Sequence, residues 1–222
     1  MRILLTRTDR IGDVVLSTPA IRAAREKYPD AHIAFMVRPY SREIVEGNPD
    51  LNEVIVYDKY GKHRSLFNTI MFALWLGRKR FDLAIMLHPT NRVHLIAFLA
   101  GISERVGFDR KLAFLLTKKM PHTKEKGEKH ELDYTLDLLR LAGINARGRE
   151  ISVTLQKKDV MTAGRMLEEY HVGSGVPLIA VNPGASCASK RWAPQNFAIL
   201  CDNLARNFRA RILIISDRSN AE

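Results

Sequence analysis

Short runs of apolar, strand-forming residues alternate with longer helix-patterned stretches along most of the chain. Runs at 2–6 (RILLT), 31–37 (AHIAFMV), 53–57 (EVIVY), 82–87 (DLAIML) and 105–108 (RVGF) have the length and composition of buried strands. Between the first two, 14–27 carries Val15, Ala20, Ile21 and Ala24 among Arg22, Arg25, Glu26 and Lys27, the pattern of an amphipathic helix. Thr18-Pro19 offers a second start inside it, which predicts a kinked or late-beginning helix. Shorter helices are expected at 40–46 and 93–100. The stretch 66–76 is strongly apolar and closes on Gly77-Arg78-Lys79-Arg80. It is too short to cross a membrane and reads as a buried helix with a basic cap. Strand–helix alternation of this kind predicts a parallel, doubly wound α/β sheet.

Beyond 108 the pattern loosens. Residues 109–129 are basic, contain Pro121 and Gly127, and read as a loop; 130–141 reads as a helix and 144–155 as an extended connection. A helix at 159–170, a strand at 178–181, a loop at 182–194, a helix at 195–208 and a strand at 211–215 follow. The expected division is a first domain at 1–143, a linker at 144–158 and a second domain at 159–222. Two strands cannot bury both faces of a sheet. The second domain is therefore expected to be the beginning of a larger one, the chain truncated, and the piece inactive alone.

The chain has 222 residues and 46% hydrophobic content, enough for a sizeable core. Its 35 Lys and Arg outnumber 24 Asp and Glu, for a formal charge of +11, which favours anionic partners. Cys187 and Cys201 give no disulfide framework and suit a reducing compartment. The start breaks its apolar run with Arg7, Asp9, Arg10 and Asp13, unlike a secretion signal. A cytoplasmic location is expected.

Several residues fall where ligands bind in open α/β sheets, at strand carboxyl ends. Gly12 and Asp13 follow the first strand. Gly12 suits a tight turn with room for a ligand. Asp13 suits either a helix N-cap or a carboxylate able to take a proton. His88 follows the fourth strand. Lys59, Lys62 and Arg64 lie in the basic loop after the third, and 118–129 is a second basic stretch. These cations are either a solvated face or a site for an acidic ligand. The loop 183–190 (PGASCASK) has small residues for close approach to an anion and ends in Lys190, without Walker A spacing. On local sequence alone the solvated-loop reading is the stronger one. His88 and His94 lack the spacing and third ligand of a structural metal site.

Two blocks carry a resemblance. RIGDVVLSTPAIRAAREKYPDAHIAFMV at 10–37 and VNPGASCASKRWAPQNFAIL at 181–200 resemble glycosyltransferase family 9, the lipopolysaccharide heptosyltransferases, in order and separation. The resemblance runs from residue 1 to about residue 207. It implies the GT-B fold, two Rossmann-like domains facing each other across a cleft. It implies Asp13 as catalytic base and Lys190 as the ligand of donor phosphate. Gly12, Ser186, Ser189 and Glu222 join the donor side, Glu222 on the nucleoside ribose. Lys59, Lys62, Arg64 and His88 are assigned to the acceptor. The implied reaction is inverting transfer of a heptose from an ADP-sugar donor to the lipopolysaccharide inner core, with no cofactor and no metal. Implied with it are peripheral contact with the cytoplasmic face of the inner membrane and no nucleic-acid partner. Two other classes compete. A nicotinamide-dependent oxidoreductase would need the G-x-G-x-x-G turn that the first loop lacks, and a basic non-enzymatic binder of nucleic acid or membrane has charge but no motif.

Overall fold

A six-stranded, all-parallel sheet forms the larger part of the molecule, in the order β3-β2-β1-β4-β5-β6. A computed structural model describes residues 1–173, 175–185 and 187–216. The strands are β1 (Arg2–Thr6), β2 (His32–Val37), β3 (Glu53–Val56), β4 (Leu83–Met86), β5 (Glu104–Phe108) and β6 (Lys118–Met120). The helices are α1 (Ile11–Val15), α2 (Thr18–Lys27), α3 (Arg42–Val45), α4 (Leu66–Gly77), α5 (Asn91–Leu99) and α6 (Glu131–Leu141).

Strand alternation sorts the side chains onto two covered faces. Ile3, Leu5, Ile33, Phe35, Leu83 and Ile85 pack with Ala20, Ile21 and Ala24 of α2 and with Tyr134 and Leu138 of α6. Leu4, Ala34, Met36, Ala84 and Met86 pack with Phe72 and Leu76 of α4 and with Val93 and Ile96 of α5. Burial on both faces is why these strands read as continuous apolar runs rather than alternating ones. The fold class expected from sequence, α/β and Rossmann-like, is the one observed.

Four local readings need correction. The stretch expected as one helix over 14–27 is two. Pro19 has no N–H to continue the ladder of α1, and the Val15 carbonyl accepts the Thr18 hydroxyl at 2.8 Å instead. The expected loop 109–129 contains β6, whose register sets Val106 opposite Lys118 and Phe108 opposite Met120. It is an edge strand with exposed Lys118 and Lys119, so it has no apolar run to betray it. The helix expected to be buried, α4, is buried on one side only: Thr69, Phe72, Ala73 and Leu76 face the sheet while Phe67, Met71, Leu74 and Trp75 are exposed. It covers one face of the sheet and has no layer above it among the described residues of the first unit. The segment after α6 packs back: Ile144 is fully buried, Arg149 pairs with Asp133, and the Ser152 N–H donates to Thr18 Oγ1 at 3.0 Å.

The chain divides into two compact units after Leu155. The second contains α7 (Lys157–Glu169), β7 (Leu178–Val181), α8 (Pro194–Phe208) and β8 (Arg211–Ile214). β7 and β8 pair in parallel from Leu178 opposite Arg211 to Val181 opposite Ile214. No helix among the described residues is long and apolar enough to cross a membrane.

Candidate active site

The sheet order reverses between β1 and β4. β2 and β3 are laid outward on one side of β1, and β4 begins on the other. Ligands of open α/β sheets bind at such a switch point, outside the strand carboxyl ends. Here those ends are tied together. The Leu87 N–H donates to the Thr6 carbonyl at 3.1 Å and the Arg7 N–H to the Met36 carbonyl at 2.9 Å.

Arg7 is the hub. Its side chain is only 2% exposed. Nε donates to Asp9 at 2.7 Å, and Nη1 donates to the Leu87 carbonyl at 3.1 Å and to Glu131 at 2.8 Å. Nη2 lies 3.2 Å from the Asp13 carboxylate. A planar fork with five donors can serve this many acceptors at once, which a lysine cannot. Glu131 opens α6 and is paired a second time by Lys124, from the 3-10 turn Lys124–Lys126. Asp9 is also 3.3 Å from Nδ1 of His88. Two cations, Arg7 and Lys124, thus face three carboxylates.

This setting shifts the titrating groups in different directions. Burial raises the Asp13 carboxyl above the usual range; Arg7 opposes this, and the charges of Asp9 and Glu131 reinforce it. Burial acts on Glu131 too, but Lys124 and Arg7 together outweigh it and hold that carboxyl low. Burial lowers His88, with Asp9 pulling the other way, so the imidazole is neutral near pH 7. Carboxylates whose environments push them apart have separate acid–base roles. Here Glu131 is held toward its charged form, and Asp13, pushed the other way, is the candidate for proton exchange.

Asp13 stands in the first turn of α1, whose N-cap is Arg10, so the N-cap reading does not hold. Gly12 is inside the same turn without a positive φ, so it is not there for a tight turn. A Cβ built on Gly12 would meet no atom within 4 Å, so the space outside it is open.

Lys59 joins the cluster, donating from Nζ to the Thr8 carbonyl at 3.0 Å. Its loop is internally braced. The Asp58 carboxylate accepts from the backbone N–H groups of Tyr60, Gly61 and Lys62, at 3.3, 2.9 and 3.1 Å. Arg92 of α5 donates to the carbonyls of Lys59, His63 and Arg64, at 3.3, 2.9 and 2.6 Å. Lys62 lines a groove beside α4. Asp13, His88 and Lys59 are therefore gathered around the segment 7–9, through Arg7, Asp9 and the Thr8 carbonyl, and Lys62 and Arg64 sit on the same braced loop as Lys59.

Lys190 and Ser189 lie in the second unit, on the 3-10 turn Ala188–Lys190 between β7 and α8. The Lys190 N–H donates to the Cys187 carbonyl at 3.0 Å, and Ser189 Oγ lies 3.1 Å from Cys187 Sγ. Both residues are exposed. Trp192 packs edge-on against Phe197 with ring centroids 5.2 Å apart. Ser186 and Glu222, also expected on the donor side, lie outside the described residues. Among the described residues no group of three His, Cys, Asp or Glu is placed to hold a metal ion.

Sequence reasoning passed over Arg7, Asp9 and Glu131 as site residues, and took in Lys124 only as part of the basic stretch 118–129. One signal was available: an ionisable residue directly after a fully apolar strand, with a carboxylate two positions on.

A carboxylate raised by burial and braced by a buried arginine, at the switch point of a doubly wound sheet, defines a Rossmann-like protein with a candidate acid–base site. The chain belongs to glycosyltransferase family 9 (heptosyltransferase), whose family model matches residues 71–221. It is similar to lipopolysaccharide heptosyltransferase 2 of Escherichia coli strain K12, at 23% identity over 215 residues, covering 92% of this chain and 60% of that protein. The crystal structure of the glycosyl transferase family 9 from Veillonella parvula DSM 2008 superposes with a TM-score of 0.90 at 23% identity, covering 99% of this chain and 64% of that one. The structure of the E. coli ADP-heptose lps heptosyltransferase II gives a TM-score of 0.78 at 21% identity, covering 99% and 66%. The chain thus spans about 60% of the length of the curated relative it matches.

Proposed function

We propose that the protein acts in inverting transfer of a heptose, or a related sugar, from an ADP-sugar to the lipopolysaccharide inner core. The observation that carries this reading is the Asp13 carboxyl: 28% exposed at the switch point, raised by burial, and held 3.2 Å from the Arg7 guanidinium. Glycosyl transfer to a hydroxyl needs such a group. The acceptor hydroxyl gives its proton to Asp13 as its oxygen bonds to the anomeric carbon. The bond from that carbon to the diphosphate oxygen breaks, its electron pair leaves with the nucleotide, and the anomeric centre inverts.

Lys190 and Ser189 receive the leaving diphosphate, the lysine as a point charge and the serine as a hydrogen-bond donor. Ser186 and Glu222 belong to the same donor set by family resemblance. Gly12 leaves the approach to Asp13 open. Lys59, Lys62 and Arg64 meet the acidic groups of the acceptor, and the neutral imidazole of His88 contacts its hydroxyls. The work is done at the cytoplasmic face of the inner membrane. The E. coli relatives named above as lipopolysaccharide and ADP-heptose heptosyltransferases support the choice of substrates.

Asp13→Asn tests the reading, in a version of the protein that spans the full length of its curated relatives, the parent being that version without the substitution. With ADP-heptose and an inner-core acceptor, turnover is expected to fall by about 10²-fold or more, the usual contribution of a positioned base. Calorimetric affinity for ADP-heptose is expected to stay unchanged. Turnover near that of the parent would remove Asp13 from the chemistry. A parent protein with no affinity for any nucleotide-sugar would favour the oxidoreductase or binder classes instead.

A further inference from the structure

The outward face of α4 is out of place on a water-exposed helix. A surface helix normally turns polar residues outward. Here Leu66, Phe67, Met71, Leu74 and Trp75 are all exposed, Phe67 at 70% and Trp75 at 42%. Positions 67, 71, 74 and 75 form one stripe, opposite the buried stripe of 69, 72, 73 and 76. Scattered exposed apolar residues are ordinary, but a contiguous patch of this size marks a contact surface.

The charges that flank the stripe in sequence have one sign. Lys59, Lys62 and Arg64 precede α4, Arg78, Lys79 and Arg80 follow it, and no Asp or Glu occurs from 59 to 81. Lys79 pairs with Glu53 at 2.6 Å and rests 4.8 Å from the Trp75 ring centroid. A groove of about 380 Å³ runs beside the helix, from Lys62, His63 and Asn68 to Met71, Phe72 and Trp75. It is cationic at one end and apolar at the other, as an anionic amphiphile requires.

We infer that the outward face of α4 docks on an anionic lipid bilayer, lying in the interface with Phe67, Met71, Leu74 and Trp75 among the acyl chains. The helix has 12 residues, about 18 Å, so it lies on a bilayer and does not span it. The flanking cations take the lipid phosphates. A second copy of the chain fits worse. A two-fold contact through this face sets the helices parallel or antiparallel, and either way brings cations flanking one α4 against cations flanking the other. The loop 58–64 runs from this helix to Lys59 and the Thr8 carbonyl, so docking α4 sets the candidate acceptor loop at the lipid surface.

The test needs no sugar substrate, so its outcome is independent of the proposed transfer reaction. The chain has two tryptophans, and Trp192→Phe leaves Trp75 as the sole reporter. Its emission and co-sedimentation are read against vesicles of phosphatidylethanolamine with and without phosphatidylglycerol. The expected result is a blue shift and sedimentation only with phosphatidylglycerol, both weakened by salt. Phe67→Glu/Leu74→Glu, at exposed positions, is expected to keep its thermal unfolding and lose partitioning by about tenfold or more. Arg78→Gln/Arg80→Gln is expected to weaken the phosphatidylglycerol dependence. Three results overturn the inference: no partitioning of the parent at any phosphatidylglycerol content, undiminished partitioning of the double glutamate variant, or a concentration-dependent blue shift without vesicles. The last assigns the face to a second copy.

Discussion

Arg7 holds together groups that would otherwise repel one another. Removing it leaves Asp9, Asp13 and Glu131 facing each other, with Lys124 still paired to Glu131 but no guanidinium bridging the three. Arg7→Met is therefore expected to destabilise the first unit by about 3–5 kcal/mol, the usual cost of stripping one partner from a buried ion pair, as read by urea unfolding. The same loss takes away the one cation that pulls the Asp13 carboxyl down. A base works only when deprotonated, so turnover is present above its pKa and is lost as pH falls through it. In the parent, the acid limb of the turnover profile should lie above the ordinary carboxylate range. In Arg7→Met it should move higher still, and an unmoved limb would separate Arg7 from Asp13. Asp13 was legible in the sequence because it stands in a compact motif after a strand. Glu131 was not, because it meets Arg7 from 124 residues away and nothing local marks it.

At the scale of elements, α4 separates two kinds of apolar residue that look alike in sequence. Phe72 sits against Tyr57, His63 and Trp75, with ring centroids 5.0, 4.7 and 5.3 Å away, and Phe67 stands in the open. Phe72→Ala is expected to cost about 3–5 kcal/mol of stability and Phe67→Ala at most about 0.5 kcal/mol, compared by chemical denaturation. Equal costs would mean that the outward stripe is packed. Periodicity located this helix but could not tell which faces were covered, since its residues are apolar all round. The opposite failure befell β6. Its sequence is polar because it lies at an edge, and only its pairing with β5 identifies it as a strand. The four interior strands, β2, β1, β4 and β5, were readable because their central residues are covered on both faces, and the other edge strand, β3, was readable because it keeps the apolar run Val54-Ile55-Val56.

At the scale of the whole molecule, the alternation of strands and helices was enough to foresee a doubly wound sheet, and the two motif blocks its family. The position of the boundary was harder to read. An extended stretch looks alike whether it hangs free or, like Ile144 and Ser152, packs on its own unit. The two units also differ in cover. Ile3, Leu4 and Ile85 of β1 and β4 have no exposed surface, while Leu178, Leu213 and Ile214 of β7 and β8 remain open to water. Amide exchange is expected to be faster in β7 and β8 than in β1 and β4, since local opening follows buried contact. Equal protection would contradict the unequal cover.

The strand order also sets a timetable for synthesis. β1 leaves the ribosome first, yet it belongs in the middle of the sheet. Its β4 neighbour follows about 80 residues later, as in the bond from the Arg2 amide to Asp82. Until then one edge of β1 has no partner. Arg7 waits longer: Leu87 arrives 80 residues after it and Glu131 after 124. A guanidinium cannot leave water before its acceptors exist. The candidate site is therefore among the last parts of the first unit to close, though its central residues are among the first to be made.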